Sequence, residues 1–141
     1  MAVKIPSNQI QNLQQIEVVV AGPDDANRLF IIDGQFNSQL AASSVSQKEI
    51  FTILVGPVFA RKQFLQANAT ASLTNTSFEI DLPPVFANWQ VVSADADWDD
   101  ESGQVELRIE ALVDCRGNVN NTASIFGFAF HVTILAAVAA A

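Results

Sequence analysis

The chain has a single cysteine and a single histidine. One thiol excludes an internal disulfide and suits a reducing compartment. With one imidazole beside it, these residue types cannot build a conventional structural zinc site on their own. Basic residues are scarce as well: 7 Lys and Arg stand against 15 Asp and Glu, for a formal net charge of -8. A chain of that sign repels phosphate backbones and anionic bilayers, so nucleic acid is not an expected partner. No apolar run is long enough to span a bilayer, the stretch VTILAAVAAA included, and membrane insertion is not expected. The N-terminal MAVKIPSNQIQNLQQ has one lysine with no apolar run behind it, unlike a secretory signal. Cytoplasm or an assembled particle is compatible with that pattern. Walker, paired-glycine dinucleotide and Gly-x-Ser-x-Gly motifs are all missing.

Charge itself is in short supply. Only 16% of residues are charged and 50% are hydrophobic, against about 25% charged in an ordinary globular chain. Much apolar surface therefore needs covering, by a large core or by a partner. The 141 residues suffice for one domain with a real core.

What is present is alternation. From Trp89 to Val113 the sequence reads WQVVSADADWDDESGQVELRIEALV. Val92, Ala94, Ala96 and Trp98 share one parity and Ser93, Asp95 and Asp97 the other, while Val105, Leu107, Ile109 and Ala111 alternate with Glu106, Arg108 and Glu110. A period of two marks half-buried strands. The polar link Asp99-Asp100-Glu101-Ser102-Gly103 ends in a glycine, so the two arms are expected to form an antiparallel hairpin.

Taken in order, residues 1–15 are expected to form a polar arm or short helix anchored by Ile5, Ile10 and Leu13, a mobile terminus being the simplest form. QIEVVVA reads as a strand stopped by Gly22-Pro23-Asp24-Asp25. Arg28–Ile32 is a second strand, and Asp33-Gly34, a favoured hairpin dipeptide, predicts that residues 35–40 fold back beside it. AASSVSQ reads as a loop. Residues 49–55, apolar at both parities, predict a strand covered on both faces. Leu65, Ala67, Ala69, Ala71 and Leu73 alternate with Gln66, Asn68, Thr70 and Ser72, and Phe78, Ile80 and Leu82 precede the Pro83-Pro84 break. The loop expected at Cys115-Arg116-Gly117-Asn118 leads to a last strand in which Phe126, Phe128, Phe130, Val132 and Ile134 share a face. The expected class is all-β: an antiparallel β-sandwich, jelly-roll-like, of about eight strands in one domain over residues 16–135, with an apolar tail at 136–141.

Two places carry candidate chemistry. Asp95, Asp97, Asp99 and Glu101 offer oxygen ligands at alternating positions, with Glu106 eleven residues after Asp95, the type of donor a hard cation such as calcium requires. A helix-flanked calcium loop is excluded, because Asp100 stands where that loop needs glycine and strands flank the segment; an acidic, solvated turn explains the same residues, with Arg108 available for a cross-strand ion pair. The second place is the outer face of the last strand. Gly127, Ala129, His131 and Thr133 leave a low strip that another backbone or sheet can approach, an interface candidate. Hydroxyls and amides at Gln66, Asn68, Thr70 and Ser72 suit sugar hydroxyls. A nucleophilic Cys115–His131 pair would need a third group to orient it, and none is evident.

These features predict a non-catalytic structural protein that forms a homo-oligomer, such as a subunit of a particle, capsid (virion) or appendage. A carbohydrate-binding module, calcium-assisted through the acidic hairpin, is the alternative. No cofactor is expected apart from calcium.

Overall fold

The computed structural model describes residues 2–20, 27–80, 86–117 and 119–138. Two four-stranded sheets face each other. One holds β1 (Ala2–Lys4), β4 (Ser46–Val55), β7 (Val105–Arg116) and β6 (Phe86–Trp98) in that spatial order; the other holds β2 (Gln11–Val20), β3 (Asn27–Ala42), β8 (Thr122–Ala137) and β5 (Phe64–Glu79). All neighbours are antiparallel except β1 and β4. Only β2–β3 and β6–β7 are consecutive strands paired within one sheet; every other step along the chain crosses between sheets. Among the described residues there is no α-helix, only single 3-10 turns at Ser7–Gln9 and Arg61–Gln63. The fold is the all-β sandwich of about eight strands that the alternation predicts.

The core lies between the central strands. Phe36 and Phe128 are register partners, and their rings stack at 5.0 Å. Phe51 of the facing sheet meets Phe128 at 4.8 Å and tilts against it, so the three fully buried rings tie the two sheets together. Ile32, Val132 and Ile134 on one side and Ile53, Leu107 and Ile109 on the other extend this layer. Burying each such side chain contributes about 1.5–3 kcal/mol.

Several expectations are corrected by the packing. Residues 27–42 form one continuous strand that passes straight through Asp33-Gly34, so no hairpin forms there. Gly34 lacks a side chain for a different reason: an added Cβ would sit 2.6 Å from Phe130 Cζ and 2.9 Å from Ile10 Cγ2. The loop predicted at AASSVSQ shrinks to residues 43–45, and Cys115 is not on a loop but fully buried within β7. Three register shifts change which face a side chain takes. One between Val91 and Ser93 leaves Val92 exposed, one between Phe64 and Gln66 does the same to Leu65, and an irregularity at Phe126 puts Ile125 in the core instead. β4 buries Phe51, Ile53 and Val55 but exposes Leu54, so it is covered fully on one face only.

Residues 2–10 are anchored by apolar side chains. Residues 2–4 pair with Ile50–Thr52, the Ile5 amide donates to the Thr52 carbonyl at 2.9 Å, and Ile5 is buried. After the 3-10 turn Ile10 packs against the core, and the chain enters the opposite sheet as β2. Leu13, expected to anchor the same arm, is exposed. At the other end, β8 carries the start of the predicted tail, with Ala136 buried and Val138 packed against the core. The turn signal at residues 22–25 and the Pro83-Pro84 break lie outside the described residues.

Candidate functional site

The alternation that sends Phe30, Ile32 and Phe36 inward sends Leu29, Ile31, Asp33, Gln35 and Asn37 to the outer face of the β2-β3-β8-β5 sheet. Register then aligns residues far apart in sequence into rows. Val18, Leu29, Leu135 and Gln66 form one; Ile16, Ile31, Thr133 and Asn68 the next; Gln14, Asp33, His131 and Thr70 a third; Gln35, Ala129 and Ser72 a fourth. The predicted strip and the predicted amide and hydroxyl ladder are thus side by side on one face. That face is divided. Aliphatic side chains occupy the end near the β2–β3 pairing, and polar groups occupy the rest.

At the centre of the polar part His131 Nδ1 lies 2.6 Å from Asp33 Oδ1, with both side chains about half exposed at 46% and 51%. The carboxylate orients the imidazole and leaves Nε2 directed away from that bond, a group able to donate or accept according to its protonation. Gly127 departs from the low strip expected of it. It is buried, because Thr74 and Asn37 close over it and an added Cβ would collide with Thr74 Oγ1. Close approach by another backbone is therefore confined to Ala129, His131 and Thr133.

The acidic hairpin is on the outer face of the other sheet. Asp95 stands opposite Arg108 and Asp97 opposite Glu106, around a depression of about 280 Å³ that Asp99 also lines. Asp99 is occupied locally. Its Oδ2 accepts from the Ser102 hydroxyl at 2.6 Å and the Ser102 amide at 3.0 Å. Those bonds, the hydroxyl first, hold its carboxyl below the usual aspartate value, with the Lys4 charge adding to them. Glu101 lines an adjoining groove of about 710 Å³, which shares Asp99 and Glu106 with that depression and also takes in Lys4, Ser7 and Thr52. Among the described residues no three such side chains are grouped to hold a metal ion. Trp98, on the opposite parity, donates its indole N–H to the Phe59 carbonyl at 3.0 Å and packs against the core. Arg61 lies over its ring at 5.8 Å. Gly103, at φ +73°, closes the turn as its position predicts.

Cys115 and His131 are not brought together. The thiol is buried on the inner side of β7, with Sγ 3.4 Å from the Asn121 carbonyl, whereas His131 is on the outside of the opposite sheet. The aliphatic end of the β8 face and the exposure of β2 are what sequence reasoning missed. A signal was present: in IEVVV apolar residues occupy both parities, yet the preceding residues are glutamine-rich and suit a sheet edge. Comparison with family models, with curated proteins and with solved structures gives no match for this chain.

Proposed function

We propose that the protein is a non-catalytic assembly subunit whose role is to form a homo-oligomer, as part of a particle, capsid or appendage. The aliphatic end of the outer face supports this reading. Ile16 and Val18 are 57% and 40% exposed and continue into Ile31, Leu29 and Leu135, so part of the apolar surplus of the composition forms a contiguous corner of this face. Contiguous apolar surface of this kind marks sites of association. Light scattering on a sizing column checks it: a defined oligomer at micromolar concentration is expected, and a monomer across the concentration range sinks the proposal.

The polar part of the same face favours a second reading, a carbohydrate-binding module. The oriented Asp33–His131 pair stands between the Gln35 and Ser72 row and the Asn68 row, a set of donors and acceptors suited to sugar hydroxyls. Calcium at the acidic hairpin would bind on the other sheet, so it would act on stability and not on the sugar. Glycan-array binding lost in His131→Ala supports this reading, and a melting temperature unmoved by millimolar calcium removes the metal from it.

A further inference from the structure

Among the described residues β2 is held on one side only. It pairs with β3 and ends the sheet, and every residue from Gln11 to Val19 is exposed. The other edges are protected. β5 and β6 lie against each other, and β1 covers the middle of β4 at Ile50–Thr52. Edge strands are normally defended by lysine, proline, a bulge or shortness. β2 is ten residues long and has neither lysine nor proline. Its one irregularity, Asn12 at φ 53° with the register break between Gln11 and Gln14, is at one end and leaves Gln14–Val20 in regular register. Its one charge, Glu17, is 3.6 Å from Arg28 of β3.

We propose that a second copy of this chain covers this edge, β2 pairing antiparallel with β2 about a twofold axis at Val18 so that the sheet continues into its partner. The proposal rests on the assembly reading and specifies its interface. Symmetry, charge and the matching of apolar residues together select the register. A twofold axis perpendicular to the sheet matches residues of the same face, so it passes through a residue and not between two. At Glu17 it would set two like charges directly opposite, which is destabilising. At Ile16 it would set Val18 against Gln14. At Val18 it sets Val18 against itself and Ile16 against Val20, and Glu17 meets Val19. The row Leu135-Leu29-Val18 then runs on into the same row of the second copy, so the apolar lane no longer ends at an open edge. A foreign strand would have to supply that match, whereas a second copy has it by symmetry.

Disulfide trapping tests the register. Directly opposed residues in an antiparallel pair have Cα atoms about 4.5–5.5 Å apart, within disulfide range, and Cys115 is buried and gives no background. Val18→Cys, a small change at an exposed site, is expected to form a covalent dimer under mild oxidation, while Val92→Cys on the other sheet remains a monomer on a non-reducing gel. Val18→Lys, checked for folding by circular dichroism, is expected to halve the solution mass of the oligomer, or of its dimeric unit. If the wild type is an oligomer but Val18→Cys does not cross-link and Val18→Lys keeps the full mass, the edge pairing is overturned and the assembly reading stands. A monomeric wild type overturns both.

Discussion

β2 and β8 flank the same strand, β3, and each has a stretch rich in β-branched and large apolar residues, IEVVV in one and FAFHVTIL in the other. Their fates are opposite. In β8 every second residue from Phe128 to Ala136 is buried, whereas in β2 Ile16 and Val19 are both 57% exposed. Hydrophobicity does not separate them; neighbours do. β8 is hydrogen-bonded to β3 and β5 and has β7 against its inner face, while β2 pairs, among the described residues, with β3 alone. The difference teaches that apolar content says how much surface must be covered, and sheet position says whether the chain covers it itself.

The largest expected effect comes from emptying the covered strand. Phe128→Ala removes the ring that both Phe36 and Phe51 pack on, and truncation of a buried aromatic costs about 3–5 kcal/mol. Urea unfolding followed by tryptophan fluorescence measures it, and a loss under about 1 kcal/mol would break the contrast with β2. Next is Gly34→Ala. The new Cβ meets the Phe130 ring and Ile10 from two sides, and overpacking of this kind costs about 1–3 kcal/mol. The same unfolding experiment is decisive, since a glycine with open space would show a gain instead.

Gly34 and Gly103 also show what the sequence makes legible. Both follow a polar residue and both resemble hairpin turns. Gly103 is one, because everything that shapes its turn is local: Asp99, Ser102 and the two alternating arms are within a few residues of it. Gly34 is not, because its reason for lacking a side chain comes from Phe130 and Ile10, which register and the N-terminal segment bring in from far away. The site divides in the same way. That Ala129, His131 and Thr133 face outward follows from period two, but the Asp33 partner of His131 follows only from the β3–β8 register. Bulges defeat period two outright, which is why Val92, Leu65 and Phe126 lie off the faces that alternation predicts for them.

Two changes at the acidic hairpin sharpen the comparison by testing a region whose order is local. Gly103→Ala forces a side chain into the left-handed region at φ +73°, a cost of about 1–2 kcal/mol, read as a lower melting temperature without loss of the sandwich. Asp99→Asn has a smaller effect with a pH signature. The Asp99 carboxyl is held below its ordinary value of 3.8 chiefly by the Ser102 hydroxyl, so the folded state binds its proton less readily than the unfolded state. Its contribution is present above the ordinary value and is lost as pH falls through the lower folded one. The stability gap between wild type and Asp99→Asn is therefore expected at neutral pH and closes in acid. A gap that persists unchanged at pH 2 would assign it to geometry and not to charge.

The smallest expected effect is on the uncovered strand, and it mirrors the largest. Val19→Thr replaces a methyl that already faces water and keeps the β-branch that suits a strand. In dilute solution, where any self-association is absent, its unfolding free energy is expected within about 0.5 kcal/mol of wild type. Raising the protein concentration then becomes the informative step, because pairing through β2 stabilises by mass action and would make the melting temperature climb with concentration. In the paired register Val19 is set against Glu17, so Val19→Thr keeps most of that climb, while Val18→Lys abolishes it. A melting temperature independent of concentration in all three proteins would leave β2 as a bare edge with no partner of its own kind.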